Sequence, residues 1–459
     1  MSEALPQGWA SIPLADLGTW YGGGTPSKSN PLFWTGGTVP WLSPKDMSGG
    51  TILGTRDRIT AVALDRSSAK LVPPNSVVFV VRSGILERKF PVSLVRFETA
   101  LNQDMKAIVP FAGIDSRWLT WALRNLERVI LNNCRKAGTT VASIETTALK
   151  QLKIPIPPLA EQKRIVEVLE DSLSRLDVGE SGVELGLRKA EQLRKSVIVD
   201  AVPTKGRDNW KLLTVADAGI VDLGRQRHPN WHTGPNMRPY LRVANVFEDR
   251  FDVSDIMQMD FPDEIFAKFK LRPGDILLNE GQSPEYLGRP AMYRGFPEEV
   301  AFTNSLLRFR ARDGIEPEWA LLVFRRHLHA RRFLKETRIT TNIAHLSAGR
   351  FKSVEFPVPP LTEQKAIVAT TMDRLDDVER LKTGLRAALE RAESLRASLL
   401  KKAFTGQLVP QDPGDEPVAR LLARVSAMSD SKFKVMGVRR PKTGAPRAVP
   451  LGVQGELPL

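Results

Sequence analysis

Two stretches of the chain repeat apolar residues at alternating steps of three and four or at their seven-residue multiples. Ile165, Leu169, Leu176, Val183, Ala190, Leu193 and Val197 fall on one such seam, and Ile367, Val378, Leu381, Leu385, Ala388, Ala392, Leu395 and Leu399 form a second. A strict spacing of this kind predicts long helices that pair along a narrow apolar stripe, with weak points at Ser172, Gly179 and Gly186 in the first. A helix over about 161–200 would be roughly 60 Å long. Pro157-Pro158 and Pro359-Pro360 cannot be helical interior, so the helices start near Leu159 and Leu361, with Glu161 and Glu363 in their first turns. Outside these seams the apolar runs are short and of β type: Val77–Val81, Asp275–Leu278 and Ser305–Arg310, separated by turn signals such as Pro73-Pro74-Asn75 and Pro273-Gly274-Asp275. One helical stretch stands among the strands of each region, Trp118–Leu131 and Trp319–Lys335, which makes the class α+β.

The two halves of this pattern are copies. Ile154-Pro155-Ile156-Pro157-Pro158-Leu159-Ala160-Glu161-Gln162-Lys163 returns as Phe356-Pro357-Val358-Pro359-Pro360-Leu361-Thr362-Glu363-Gln364-Lys365, and the match continues without a gap to Ser196 and Ser398. The regions before the helices repeat faintly, Trp9 with Trp210 and Trp118 with Trp319. The chain therefore divides into a globule (1–153), a helix (154–203), a second globule (204–355), a second helix (356–406) and a tail (407–459) whose last part, from Lys432, reads as disordered. The tail carries Lys434, Arg439, Arg440, Lys442 and Arg447. Two seams in one chain have a mutual solution, in which the helices pair and hold the globules apart. The alternative, each helix packed only on its own globule, calls for a wider apolar stripe.

Charge narrows the choice of partner. The 459 residues carry 66 Lys and Arg against 52 Asp and Glu, a net charge of +14, which favours a polyanion, most often nucleic acid. The single cysteine, Cys134, allows no intrachain disulfide and suits a reducing compartment. The first twenty residues lack a cationic segment followed by an apolar run, and no stretch reaches the ~18 apolar residues of a membrane span. A soluble, cytoplasmic protein is expected.

Catalytic constellations are sparse. Gly22-Gly23-Gly24-Thr25-Pro26 lacks the lysine and helix of a phosphate loop. His228 and His232 are four apart but separated by Pro229, and His327 and His329 diverge on a helix, so no metal site is expected. Glu87-Arg88-Lys89 fits half of a metal-dependent nuclease core, without an evident second carboxylate. Side chains suited to DNA are plentiful. In the first globule they are Thr25, Ser27, Lys28, Lys45, Arg82, Asn102, Gln103, Arg135, Lys136, Thr139 and Thr140. In the second, Arg225, Gln226 and Arg227 set guanidinium forks beside an amide, the groups that pair with guanine and adenine edges. Arg242, Asn245, Asn279, Gln282, Arg289 and Asn304 add to these, and Arg338, Thr341 and Asn342 suit phosphate.

The duplicated Pro-Pro-Leu-x-Glu-Gln-Lys, the loop Gly23-Gly24-Thr25-Pro26-Ser27 with Val39-Pro40-Trp41-Leu42 after it, and the closing Lys402-Ala403-Phe404-Thr405-Gly406-Gln407-Leu408 resemble the specificity subunits of type I restriction-modification systems. The resemblance covers the chain to about residue 425. It implies two similar mixed α/β target-recognition domains separated by two long antiparallel coiled-coil helices in a pseudo-two-fold repeat, each domain reading half of a split DNA site. It also implies docking of two modification subunits on the helices, through residues such as Glu161, Gln162, Leu169, Leu176, Glu363, Gln364, Leu381 and Leu395, and two restriction subunits in the full complex. S-adenosylmethionine, Mg²⁺ and ATP would be bound by those partners, and no cofactor by this chain. The second globule departs from the first at the glycine loop, having Leu223-Gly224-Arg225-Gln226-Arg227 there. Two rival readings remain: a methyltransferase or nuclease fused to recognition domains, which lacks the expected Asn/Asp-Pro-Pro-Tyr/Phe tetrapeptide, and a coiled-coil scaffold or adaptor that ignores DNA.

Overall fold

The computed structural model describes residues 5–47, 50–138, 140–203, 207–340, 343–420 and 423. The basic tail residues from Lys434 onward, and Thr139, Thr341 and Asn342, lie outside the described residues. Two compact units divide the chain, Met1–Val178 with Ala392–Leu459, and Gly179–Arg391.

In the first unit the apolar run becomes the strand Ser76–Val80, buried at every position. A strand covered on both faces reads as a continuous apolar run. It is flanked in the order Gly18–Gly22, Met105–Pro110, Ser76–Val80, Val92–Val95, Thr51–Ile52. The helix Ser116–Asn125 buries Trp118, Leu119 and Leu123, and its first turn is capped by Asp115, which accepts from the N–H groups of Arg117 and Trp118. The helical stretch expected over Trp118–Leu131 is two helices, Ser116–Asn125 and Glu127–Asn133, broken at Leu126. The break turns Glu127 toward Phe90, whose N–H donates to its carboxylate at 2.9 Å. A smaller sheet runs Asp57–Ile59, Val39–Leu42, Thr99–Leu101, Leu71–Val72, with Trp41 paired in parallel to Ala100.

The second unit repeats this plan. Gly219–Leu223, Leu306–Ala311, Ile276–Asn279 and Pro290–Met292 form its main sheet, and Met257–Asp260, Met237–Leu241 and Ala301–Phe302 its smaller one, with Tyr240 paired in parallel to Ala301. The expected helix over Trp319–Lys335 ends at His329, because Arg331 turns left-handed at φ 53° and only a tight turn, Arg332–Glu336, follows.

Each globule hands over to its helix in the same way. Ala10–Pro13 pairs with Lys153–Ile156, and Lys211–Thr214 with Glu355–Val358, before the Pro-Pro pair ends the strand. The helices then run Leu159–Ala201 and Leu361–Phe404, as the heptads and the Pro-Pro entries predict. They pair antiparallel. In the second unit Lys382 donates to Glu191 at 3.1 Å, and Leu385 lies so close to Gly186 that a Cβ there would stand 3.3 Å from it. The supposed weak point at Gly186 thus admits a leucine. In the first unit Arg396 pairs with Asp177, and Leu176, Leu399 and Leu400 pack against the core that contains Leu173.

The repeated Glu-Gln in the first helical turn is a joint between helix and globule. Trp9 donates its indole N–H to Glu161 at 3.1 Å, and Trp210 donates to Glu363 at 3.0 Å. The Gln162 carbonyl accepts from the Asp115 N–H at 2.7 Å while its amide donates to the carbonyls of Gly113 and Pro157. Gln364 repeats all three bonds with Glu316, Gly314 and Pro359. Trp118 and Trp319 complete each joint, donating to Pro155 and Pro357 and meeting Trp9 and Trp210 edge to face. Glu161 is so enclosed that burial pushes its carboxyl up, against the pull of the Trp9 hydrogen bond and the Arg164 charge.

The expectation that Glu161, Gln162, Leu169 and Gln364 dock partner subunits is therefore corrected. The first two and Gln364 are buried, and Leu169 belongs to the core of the first unit. Glu363 is engaged by Trp210, Asn209 and Arg207. Leu176 packs at the edge of the first core, whereas Leu381 and Leu395 stand half exposed. Gln162→Ala removes the partner of the buried Pro157 carbonyl and of the part-buried Asp115 N–H and Gly113 carbonyl, so it is expected to cost the first unit about 2–4 kcal/mol. Amide hydrogen exchange in Ser116–Asn125 measures this, and a loss below about 1 kcal/mol would count against the joint.

The segment after the second helix is part of the first unit. Phe404 packs on Trp118 at 4.8 Å, Arg164 forks onto Asp415 with a 2.6 Å contact, and Val418 is buried, so residues 405–420 are folded rather than a loose tail. No helix among the described residues is long and apolar enough to cross a membrane.

Candidate nucleic-acid interface

In the first unit the glycine loop and the smaller sheet build a cleft. Gly23 crosses so close to the Asn102 carbonyl that a Cβ on it would lie 1.7 Å away, and Gly24 donates its N–H to Leu101. The turn after Trp41 is fixed by Asp46, which accepts from the N–H and hydroxyl of Ser43. These two features set Lys28, Lys45 and Asn102 around one cavity of about 580 Å³ with Trp34, Trp41 and Asp57. An adjoining cavity of about 620 Å³ shares Pro44, Ser83 and Asp104 with it and adds Arg82. Asp104 holds Arg82 at 2.6 Å through its Nε, leaving the terminal nitrogens of the fork without a partner among the described residues. Such an oriented fork suits bidentate recognition. A third cavity, about 550 Å³, is lined by Arg135 and Lys136 with Glu87. Isolated antiparallel bridges Arg82–Ser143 and Arg135–Ile144 set these two arginines against consecutive residues of one segment.

The other residues named for the first globule are not gathered here. Ser27 bonds Ser29, and Gln103 and Thr140 are exposed and line none of these three cavities. Thr25 is half-buried, with its hydroxyl enclosed. Glu87 is exposed, and among the described residues no group of three or more His, Cys, Asp or Glu is placed to hold a metal.

The second unit uses several of its named residues to build itself. Arg225 stands where the first unit has Gly24, and its guanidinium lies over Trp231 at 4.0 Å and Phe261 at 4.7 Å while donating to the Asp260 carbonyl. Burial lowers its pKa against the pull of Asp260. Arg225 is therefore corrected from a DNA contact to a cation held in an aromatic cage. Asn279 is buried in the main sheet, and Asn245 is buried with its amide tied to the carbonyls of Asp252 and Asp255 and its oxygen accepting from Arg242. Neither reaches the surface, so both are also withdrawn as DNA contacts. Arg289 stacks on Phe247 and Tyr286 and donates to Val246, which leaves it partly committed. Gln226 and Arg227 remain exposed on the loop, with Arg227 5.8 Å from the Tyr240 ring, and Arg242 pairs with Asp255 beside them. Asn304 is half-buried and its N–H donates to Arg225, while Gln282 folds onto its own chain at Ser283. Arg338 lies on the strand Arg338–Thr340.

The sequence matches the family described as Type I restriction modification DNA specificity domain over residues 6–179 and 264–391. The EcoR124I/EcoR124II specificity subunit of Escherichia coli is 41% identical over 182 residues, 40% of this chain and 44% of that protein. The EcoKI specificity subunit of Escherichia coli K12 is 24% identical over 448 residues, covering 92% of this chain and 96% of that one. The fold is shared with the HsdS subunit of Thermoanaerobacter tengcongensis at a TM-score of 0.62 and 21% identity, over 89% of this chain and 99% of that chain. It is also shared with a chain of a type I R-M system at a TM-score of 0.69 and 20% identity, over 88% and 100%. With a family match running through both units, this chain belongs to the DNA specificity subunits of type I restriction-modification systems.

Proposed function

We propose that this specificity subunit reads a split, asymmetric duplex site, one half with each globule, and does no chemistry itself. The observation that carries the reading is the contrast between the two copies. The joints Trp9–Glu161 and Trp210–Glu363 and the triple bonds of Gln162 and Gln364 are the same, whereas equivalent loop positions carry different side chains, Gly24 in the first unit against Arg225 in the second. Equal joints suit two copies of one partner; unequal loops suit two different half-sites. Two modification subunits would dock on the helical pair, where Leu381 and Leu395 offer exposed apolar surface, and would bring S-adenosylmethionine to methylate adenine. Two restriction subunits, with Mg²⁺ and ATP, would add cleavage.

Methylome sequencing of cells carrying this chain with its modification subunit is expected to return one bipartite methyladenine motif, and replacing residues 1–150 with those of a relative is expected to change only one half of it. The purified complex should lose DNA affinity steeply with salt, in proportion to the phosphates its cations neutralise. An active complex with no bipartite motif, or binding indifferent to salt, would favour a scaffold that ignores DNA.

A further inference from the structure

The two globules can be aligned residue by residue, because their sheets share registers. Trp41 pairs with Asp57 on one side and Ala100 on the other; Tyr240 pairs with Met257 and Ala301. Asn102 donates its N–H to Leu42 and Thr303 donates to Leu241, and the carbonyls of Asp104 and Ser305 accept from Val81 and Glu280. The turns agree too, since Asp46 caps Ser43 as Asn245 caps Arg242. On this frame Asp57 corresponds to Met257, Lys45 to Ala244, Asn102 to Thr303 and Asp104 to Ser305. The backbone is one design; the chemistry facing the cleft is not.

We propose that Asp57 is a specificity-determining residue of the first globule, accepting a hydrogen bond from the exocyclic amino group of a cytosine or adenine in the first half-site. This rests on the reading that the first cleft faces DNA. Asp57 lines the cleft and is exposed, its backbone carbonyl accepts from the Thr55 hydroxyl at 2.8 Å, and its carboxylate has no hydrogen bond or ion pair among the described residues, whereas the other carboxylate there, Asp104, is neutralised by Arg82. A free carboxylate is an acceptor without donors and is repelled by phosphate, so against DNA it has favourable partners only among base amino groups. Lys28 and Lys45 in the same cleft supply the cations that let a carboxylate approach a polyanion. The Asn102 side-chain oxygen is occupied by the Asp104 N–H at 2.7 Å, which turns its amide to donate. Acceptor and donor then stand in one cleft, the complement of a base edge that shows both. In the second globule the thioether of Met257 cannot accept from an amino group with comparable strength, so the two half-sites differ at this position.

The test uses the complete complex with its modification subunit and a panel of duplexes substituted one base pair at a time, with methylome sequencing in parallel. Asp57→Asn and Asp57→Ala are expected to relax one position of the first half-site, lowering discrimination there roughly 5- to 100-fold, the range of one good base contact, with the second half-site and the melting temperature unchanged. Unaltered discrimination at every position would overturn the proposal, and so would a uniform loss across all sequences, which marks a structural role. The doubly substituted Lys28→Ala, Lys45→Ala complex separates this failure from failure of the underlying reading. If it loses affinity and salt dependence while Asp57→Asn changes nothing, the cleft faces DNA without Asp57 reading it. If neither variant alters binding, the cleft does not face DNA and both readings fall.

Discussion

Glu248→Gln should destabilise the second unit by about 3–5 kcal/mol, the range for breaking a buried ion pair by removing one partner. Glu248 sits in a turn before Asp249, which adopts φ 53°, and accepts from three side chains: Arg194 at 2.8 Å on the first long helix, and Arg325 at 2.9 Å and His329 at 3.0 Å on Pro317–His329. The side chains of Arg325 and His329 are only 5% and 8% exposed, so the amide would leave buried guanidinium charge with only more distant counterions, Asp249 at 3.8 Å from Arg325 and Glu191 at 3.5 Å from Arg194. Burial alone would raise the Glu248 carboxyl, but the His329 hydrogen bond and the Arg325 and Arg194 charges outweigh it and hold the carboxyl well below the usual carboxylate range. A carboxylate depressed in the folded state contributes stability that is full above its unfolded pKa, near 4.5, and fades as the pH falls toward its folded value. The wild-type second unit should therefore weaken below about pH 4.5, and Glu248→Gln should lack that part of the acid limb. Hydrogen exchange resolved to Pro317–His329 and to the half of the first helix carrying Arg194 reads both effects. A loss under about 1 kcal/mol, or an acid limb identical in the two proteins, would mean that the pairs are screened and contribute little.

That network also marks where sequence reasoning stops. The helices, their Pro-Pro entries and the duplication were legible because each depends on local spacing: heptads set the seam and proline sets the start. The strand Ser76–Val80 was legible from the unbroken apolar run Val77–Val81, and Leu306–Ala311 from a short apolar run that gives way to alternation at Arg308, Phe309 and Arg310. The polar residues were not, because their roles depend on partners far along the chain. Glu161 and Gln162 look like an acidic first turn, yet they are buried against Trp9 and Asp115. One signal was present: both are identical in the two copies as part of the repeated Pro-Pro-Leu-x-Glu-Gln-Lys, while Ala160 and Arg164 become Thr362 and Ala366. Arg225 reads as a base contact until Trp231 and Phe261 close on it. Arg124 and Arg325 occupy equivalent places, but the first donates to the carbonyls of Val92 and Gly50 and the second to Glu248. No spacing distinguishes those outcomes. Asp57 was overlooked for the opposite reason: a lone aspartate on a short strand carries no pattern, and only the pairing with Trp41 brings it into the cleft.

Gly23→Ala is expected to abolish reading of the first half-site while sparing the second. The methyl group would meet the Asn102 oxygen at 1.7 Å and the Leu101 oxygen at 2.8 Å, both backbone atoms that cannot rotate away. Either the glycine loop lifts, losing the Gly24 to Leu101 bond, or the strand Thr99–Leu101 shifts and carries Asn102 with it. Both routes deform the cleft that holds Lys28, Lys45 and Asp57, at a cost of roughly 2–4 kcal/mol of strain and lost bonding. Gly22→Ala supplies the control within the same loop, because a Cβ there meets nothing nearer than the Lys106 amine at 3.9 Å. Gly224→Ala supplies the mirror experiment, since its Cβ would lie 2.3 Å from the Thr303 backbone and should disturb the second half-site instead. Duplexes bearing one correct half-site and one scrambled half-site separate the effects. Gly23→Ala should lose its preference for the first half-site and Gly224→Ala for the second, each to the level of a scrambled duplex, with Gly22→Ala close to wild type. Retention of the full site preference by Gly23→Ala would mean that the crossing of loop and strand at Asn102 does not shape recognition, and that the cleft walls are set by the turn at Asp46 alone.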